Sequence, residues 1–158
     1  HTAYRRQRQM CIRDRLKNTK NSMILNTSSV AGLVTTPGIS VYGATKHAVS
    51  SLTESLRIEF ERYGVRVSEI NPWFTETPIL DAQAVTGNMK SQLDRNTLYE
   101  KTTVYPVEKV VDTVWSAYSN NKIHNPIGFE AKFAASVTRI FPSFIRWLSK
   151  KSFKNTFI

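Results

Sequence analysis

A single cysteine, Cys11, stands in 158 residues. It excludes an internal disulfide framework and fits a reducing, cytoplasmic compartment. No apolar run approaches the length of a membrane span, and neither a secretory signal nor an internal repeat is legible. Acids are scarce at both ends. Residues 1–15 hold five arginines against one aspartate, and the tail carries Arg139, Arg146, Lys150, Lys151 and Lys154 with no acid among them. These two ends supply nearly all of the formal net charge of +10, and the body between them is close to neutral. That excludes a nucleic-acid binder built on a basic face of the fold. His47 and His124 read as surface or packing residues, because nothing near them completes a metal-ligand set. What is present is an ordinary soluble composition, 41% hydrophobic and 22% charged, in a chain long enough for one core.

The first fifteen residues, HTAYRRQRQMCIRDR, show neither helical nor strand periodicity. The string QMCIRDR reads as translated adapter sequence joined to a truncated reading frame, so residues 1–15 are set aside as non-native. An arginine-rich arm that binds RNA is the rival reading of the same stretch. Residues 16–158 then form one unit, with a basic amphipathic tail at about 139–158.

Within that unit, Met23 to Thr27 is a short apolar run that reads as a buried strand. Thr36-Pro37-Gly38 signals a turn. From about Val41 to Tyr63 the pattern is helical, with Ala44, Ala48, Leu52, Leu56 and Phe60 recurring at four-residue steps as the apolar face. Gly64 is placed to stop that helix. Val65 to Ile70 follows as a strand, ended by Asn71-Pro72. Strand, loop, long helix, strand is a βαβ unit with parallel strands and a right-handed crossover. Residues 75–105 are polar and read as a short helix or lid. Val107 to Tyr118 is helical, with Val107, Val110, Val111, Val114, Trp115 and Tyr118 on one face. Lys122 to Ile127 is a last short strand, and Glu130–Ile140 and Pro142–Phe153 are two more helices.

In open α/β sheets the crevice beyond the carboxyl ends of the strands is where ligands bind. Ser28 and Ser29 leave the first strand there, and Asn71, Pro72 and Trp73 leave the second. Tyr42 and Lys46 are spaced i and i+4 near the start of the connecting helix, so they share a face. An isolated pair of this kind is an ordinary feature of helix surfaces. Here a hydroxyl, a phenol and an ammonium can converge, which suits proton transfer to or from an alcohol oxygen. A free phenol near pKa 10 is too weak an acid to act as a base near neutrality, and a neighbouring cation favours its ionised form. A serine hydroxyl can polarise the reacting oxygen. Hydride transfer needs a cofactor such as nicotinamide, since no side chain supplies a hydride.

The stretch ILNTSSVAG, the stretch YGATKHAVSSLTESLRIEF and the stretch VRVSEINP together resemble the short-chain dehydrogenase/reductase family. The family's serine stands thirteen residues before the tyrosine of YxxxK, as Ser29 stands before Tyr42; this spacing favours Ser29 over Ser28. The resemblance covers about residues 16–140. It implies a Rossmann-like α/β fold and an NAD- or NADP-dependent interconversion of an alcohol and its carbonyl. In it Tyr42 is the catalytic acid/base, Lys46 lowers the phenol's pKa and binds the nicotinamide ribose, and Ser29 orients the substrate oxygen. Pro72 matches the family's proline after the strand, with Trp73 in place of its glycine. Thr75 and Thr77 match positions that contact the nicotinamide carboxamide. The tail resembles members that handle lipophilic alcohols or ketones. The glycine-rich turn GxxxGxG, the residue that separates NAD from NADP and the asparagine of the catalytic set are all absent from this sequence. The chain therefore reads as the C-terminal half of a doubly wound parallel sheet, with the N-terminal half missing and little or no activity by itself. A homodimer through the 42–63 helix and contact of the basic tail with a membrane surface are the expected macromolecular partnerships. The alternative reading is a non-catalytic module that keeps the half-fold for dimerisation or membrane docking.

Overall fold

A computed structural model describes residues 11–35, 37–78 and 102–157, with side chains described as far as residue 151. Three parallel strands lie in the order β1 (Met23–Thr27), β2 (Arg66–Pro72), β3 (His124–Ile127). Helix α1 (Ser40–Glu61) carries the chain from β1 to β2, which is the crossover that parallel neighbours require. Met23 to Thr27 align with Arg66 to Ile70, and Glu69 to Pro72 align with His124 to Ile127. Helix α2 (Val107–Asn120) connects towards β3, and α3 (Phe129–Ile140) and α4 (Pro142–Phe157) form the tail.

The elements fall where local chemistry places them. Gly64, at φ +67°, takes the left-handed turn after α1, and Asn121 at φ 56° does the same after α2. Strand β2 runs through Asn71 to end on Pro72, two residues beyond the expected stop. The proline occupies the last position, paired in register with Ile127. Pro126 is tolerated inside β3 because that strand has a partner on one side only among the described residues. β1 matches its expected span but is half-buried, not buried, since its outer edge carries no described neighbour. The expected lid at 75–105 lies largely outside the described residues.

The apolar face expected of α1 packs only at its C-terminal end, where Phe60 is buried and Leu56 lies against the core. Ala44, Ala48 and Leu52 are exposed, whereas Gly43, Ser50, Thr53 and Phe60 are buried against the sheet. Small and hydroxylated side chains let the helix approach closely and pair with polar groups on the strands: Asn26 Nδ2 donates to Thr53 Oγ1 at 2.9 Å. On α2, likewise, Ala117 is buried while Val111, Trp115 and Tyr118 are exposed. The apolar core gathers Phe60, Val65 and Val67 with Leu16, Ile24 and Leu56. Leu16 comes from residues 11–17, which are helical, in contrast to the absence of periodicity read from 1–15. Arg13 pairs with Glu59 at 3.4 Å and stacks over the Phe60 ring.

Candidate active site

Chain reversal at the end of β1 sets the site. Ser28 and Ser29 are both buried. Ser29 caps a single 3₁₀ turn, Val30–Gly32, its Oγ accepting from Ala31 N at 3.2 Å. That leaves the hydroxyl hydrogen to donate elsewhere. Ser28, which the spacing passes over in favour of Ser29, is a strut. Its Oγ donates to Lys46 O at 3.1 Å and lies 3.1 Å from Ser50 Oγ, tying the strand end to the middle of α1. Gly32 completes the contact. A Cβ there would stand 2.5 Å from Ser28 Oγ and 2.7 Å from Lys46 O, so only glycine lets the 3₁₀ turn lie this close to the helix.

Lys46 reaches back over the same strand end. Its Nζ donates to Thr27 O at 3.1 Å and lies 5.6 Å from the centroid of the Tyr42 ring. Tyr42 is 44% exposed, open to a reactant from solvent. From the second strand, Asn71 Nδ2 lies 3.4 Å from Ser29 O, so the two strand ends are joined directly behind the serine. Beyond Pro72, Trp73 Nε1 donates to Thr102 Oγ1 at 2.9 Å. Thr75 pairs with Tyr105 in an isolated bridge. Thr75 Oγ1 donates to Trp73 O and Thr77 Oγ1 to Thr75 O, so both threonine oxygens keep lone pairs for an incoming N–H donor. Thus Ser29, Tyr42, Lys46 and Pro72 share the carboxyl ends of β1 and β2, and Thr75 and Thr77 follow on the connecting loop. A hollow of about 400 Å³ between Arg13, Lys17, Phe60 and Tyr63 lies at the other end of the sheet and takes no part.

Sequence reasoning missed what stands behind these residues. Glu69, in the middle of the central strand, is fully buried. Its Oε1 accepts from Asn71 Nδ2 at 2.7 Å and from Ser50 Oγ at 2.8 Å, and lies 2.8 Å from His124 Nδ1. His124 Nε2 in turn meets Glu54 Oε1 at 2.9 Å, at the surface. Burial pushes the Glu69 carboxyl up, but the bonds from His124, Asn71 and Ser50 together outweigh it and hold the group below the usual glutamate value. The bond to Glu69 raises His124 against the opposing effect of burial, with Glu54 adding to the rise. A glutamate in a strand flanked by valine and isoleucine was the available signal. His124, set aside as bland, is the group that bridges it to Glu54.

The profile of the short chain dehydrogenase family matches residues 3–86, more than half of the chain. The chain belongs to the short-chain dehydrogenase family. A tropinone reductase homologue of Datura stramonium is 34% identical over 79 residues, which are 50% of this chain and 30% of the relative. An uncharacterised NAD-dependent oxidoreductase of Mycobacterium tuberculosis is 44% identical over 62 residues, 39% of this chain and 22% of that protein. Among solved structures, a short chain dehydrogenase of Burkholderia cenocepacia in complex with NADP shares the fold, with a TM-score of 0.67 at 22% identity over 85% of this chain and 49% of that one. A Sphingobium yanoikuyae short-chain dehydrogenase in complex with NADPH gives a TM-score of 0.54 at 29% identity, over 66% of this chain and 36% of that one. The short-chain dehydrogenase chain described here thus spans less than a third of these curated relatives and half or less of these solved structures. Its three-stranded sheet is part of the family's larger parallel sheet, and nicotinamide cofactors are bound by the solved neighbours named above.

Proposed function

We propose that this chain carries the proton-transfer end of an NAD(P)-dependent oxidoreductase that interconverts an alcohol and its carbonyl. The observation that supports it is the position of Lys46, bonded to the last carbonyl of β1 and lying over Tyr42 beside Ser29. In this reading Tyr42 Oη gives or takes the proton of the substrate oxygen. The Lys46 ammonium, 5.6 Å from the centroid of the same ring, stands on the side of the phenol that faces the end of β1. Ser29 donates its free hydrogen to the same oxygen, where charge changes during reaction.

Fit to the cofactor divides in two. Lys46 and Tyr42 offer donors to a ribose, Pro72 shapes the strand end, and Thr75 and Thr77 offer acceptors to a carboxamide N–H. At the pyrophosphate end the chain offers no glycine-rich turn. A bound nicotinamide supplies or accepts the hydride. We therefore infer that the chain alone turns over little or nothing. The substrate is proposed to be lipophilic, since α4, with exposed Phe144 and Trp147, lies against the loop before α1 through Ser149 Oγ and Thr35 O. A second copy is proposed to meet the exposed face of α1 that carries Ala44, Ala48, Ser51 and Ser55.

The test is to express the complete reading frame around residues 16–158 and assay alcohol oxidation and carbonyl reduction with NAD(H) and NADP(H). Tyr42→Phe is expected to lower kcat by about 10²–10⁴-fold, the range for a lost general acid–base. Turnover that survives both Tyr42→Phe and Ser29→Ala unchanged would refute the reading.

A further inference from the structure

The tail presents apolar and basic groups together on its outer surface. On α3, Phe129, Phe133 and Ile140 are exposed, and at the bend and along α4 so are Phe141, Phe144 and Trp147. These are large side chains, with Ile140 67% exposed and Phe141 63% exposed at the corner where the two helices meet. The opposite faces are already used: Ala131 of α3 and Ile145 of α4 are buried. Between residues 129 and 151 the basic residues are Lys132, Arg139, Arg146, Lys150 and Lys151, and the one acid is Glu130. Glu130 is occupied, accepting hydrogen bonds from Thr103 Oγ1 and Tyr105 Oη.

We propose that this helical hairpin docks on the surface of an anionic lipid bilayer, with the aromatic corner in the acyl boundary and the cations among the headgroups. Charge decides among possible occupants. A second copy would bring the same excess of cations face to face, whereas an anionic bilayer complements it. Trp115, exposed on α2, does not fit this chemistry, because its helix also carries Glu108 and Asp112. Among the described residues no helix is long and apolar enough to cross a membrane, so the hairpin lies on the bilayer. Aromatic side chains favour that boundary, and apolar insertion combined with a basic cluster provides the two signals that stable surface binding requires. The inference uses none of Ser29, Tyr42, Lys46, Pro72, Thr75 and Thr77, and it shares with the proposed function only Phe144 and Trp147 of α4.

The test uses the full chain and extruded vesicles of phosphatidylcholine, with and without phosphatidylserine, in co-sedimentation. Binding is expected to the phosphatidylserine vesicles and to weaken with salt. Each cation near the surface is worth about fivefold in partition, so Arg146→Gln, Lys150→Gln and Lys151→Gln together should weaken binding by about a hundredfold. Phe144→Ser with Trp147→Ser should also weaken it, whereas replacing the five arginines of residues 1–15 by glutamine should leave most of it. In the unsubstituted chain, brominated lipid should quench tryptophan fluorescence, and Trp147→Phe should remove most of that quenching. The substituted tail positions are exposed, and circular dichroism checks that each variant keeps its fold. The proposal is overturned if the folded chain ignores the vesicles or binds both kinds equally. It is equally overturned if the arm variant alone abolishes binding, or if quenching persists undiminished in Trp147→Phe.

Discussion

Replacing His124 by alanine removes the ring that joins the buried Glu69 to Glu54 at the surface. The imidazole lies 2.8 Å from Glu69 Oε1, and Glu69 has no exposure to recover solvation by itself. Removing one partner of a fully buried ion pair costs about 3–5 kcal/mol. Here the loss should be smaller, because Ser50 and Asn71 still donate to the same oxygen and His124 is partly exposed. One hydrogen bond to a charged group is worth about 1.5–3 kcal/mol, and we expect His124→Ala to cost about 2 kcal/mol. In a Glu69→Gln background the charge is gone, and the same substitution should cost under about 1 kcal/mol. The pH dependence has a definite sign. Glu69 is held low, so its contribution is present above the ordinary glutamate value of about 4.3 and is lost as pH falls through the lowered one. His124 is raised, so its contribution is complete below about pH 6.5 and is lost as pH rises through the raised value. The pair therefore stabilises most between those limits. Urea denaturation followed by circular dichroism across pH 4 to 9 reads both effects, with the His124 titration followed by NMR. Equal cost of His124→Ala in both backgrounds, or no loss of wild-type stability relative to that variant on raising pH, would refute the assignment of a charged pair.

Four further outcomes follow from the geometry. Gly32→Ala should cost about 1–3 kcal/mol by overpacking, since its methyl would press on the backbone carbonyl of Lys46, and thermal denaturation reads the loss. Gly64→Ala meets no neighbour and should cost about 1–2 kcal/mol, from its left-handed backbone alone. Phe60→Ala, at 1% exposure, should lose about 3–5 kcal/mol in urea titration. Leu52→Ala should change stability by no more than about 0.5 kcal/mol, and a loss as large as that of Phe60→Ala would contradict the observed packing face of α1.

Strand β1, the helical span of α1 and the left-handed stop at Gly64 were legible because each rests on a local signal: an apolar run, a 3.6-residue pattern, a glycine. The orientation of α1 was not. Hydrophobic periodicity selects Ala44, Ala48 and Leu52, but the sheet presents Asn26 and Glu69 to the helix, and the side chains that answer them are Thr53 and Ser50. A pattern scored on apolar residues cannot register a face held by hydrogen bonds. The same limit hid the role of His124, whose partners Glu54 and Glu69 are 70 and 55 residues away. The placement of Ser29 and Lys46 at the end of β1 was legible for the opposite reason, since the strand and the helix that carry them each rest on a local signal.

These two parts of the molecule are one mechanical unit. Glu69 Oε1 holds Asn71, and the Asn71 amide lies against Ser29 O, so the carboxylate acts on the serine through a single side chain. Through Ser50 the same oxygen reaches Ser28, whose hydroxyl bonds the backbone of Lys46. A buried charge is a costly way to fill the centre of a strand, and leucine of similar volume would avoid the desolvation. Leucine would also release Asn71 and Ser50 together, leaving two buried polar groups short of partners. The loss would then fall on the positions of Ser29 and Lys46 as well as on stability. Glu69→Leu should therefore disturb the backbone amides of Ser29 and Lys46 in a ¹⁵N–¹H spectrum more than Phe60→Leu does at equal loss of stability. Equal, diffuse shifts in both variants would show that the carboxylate merely fills space.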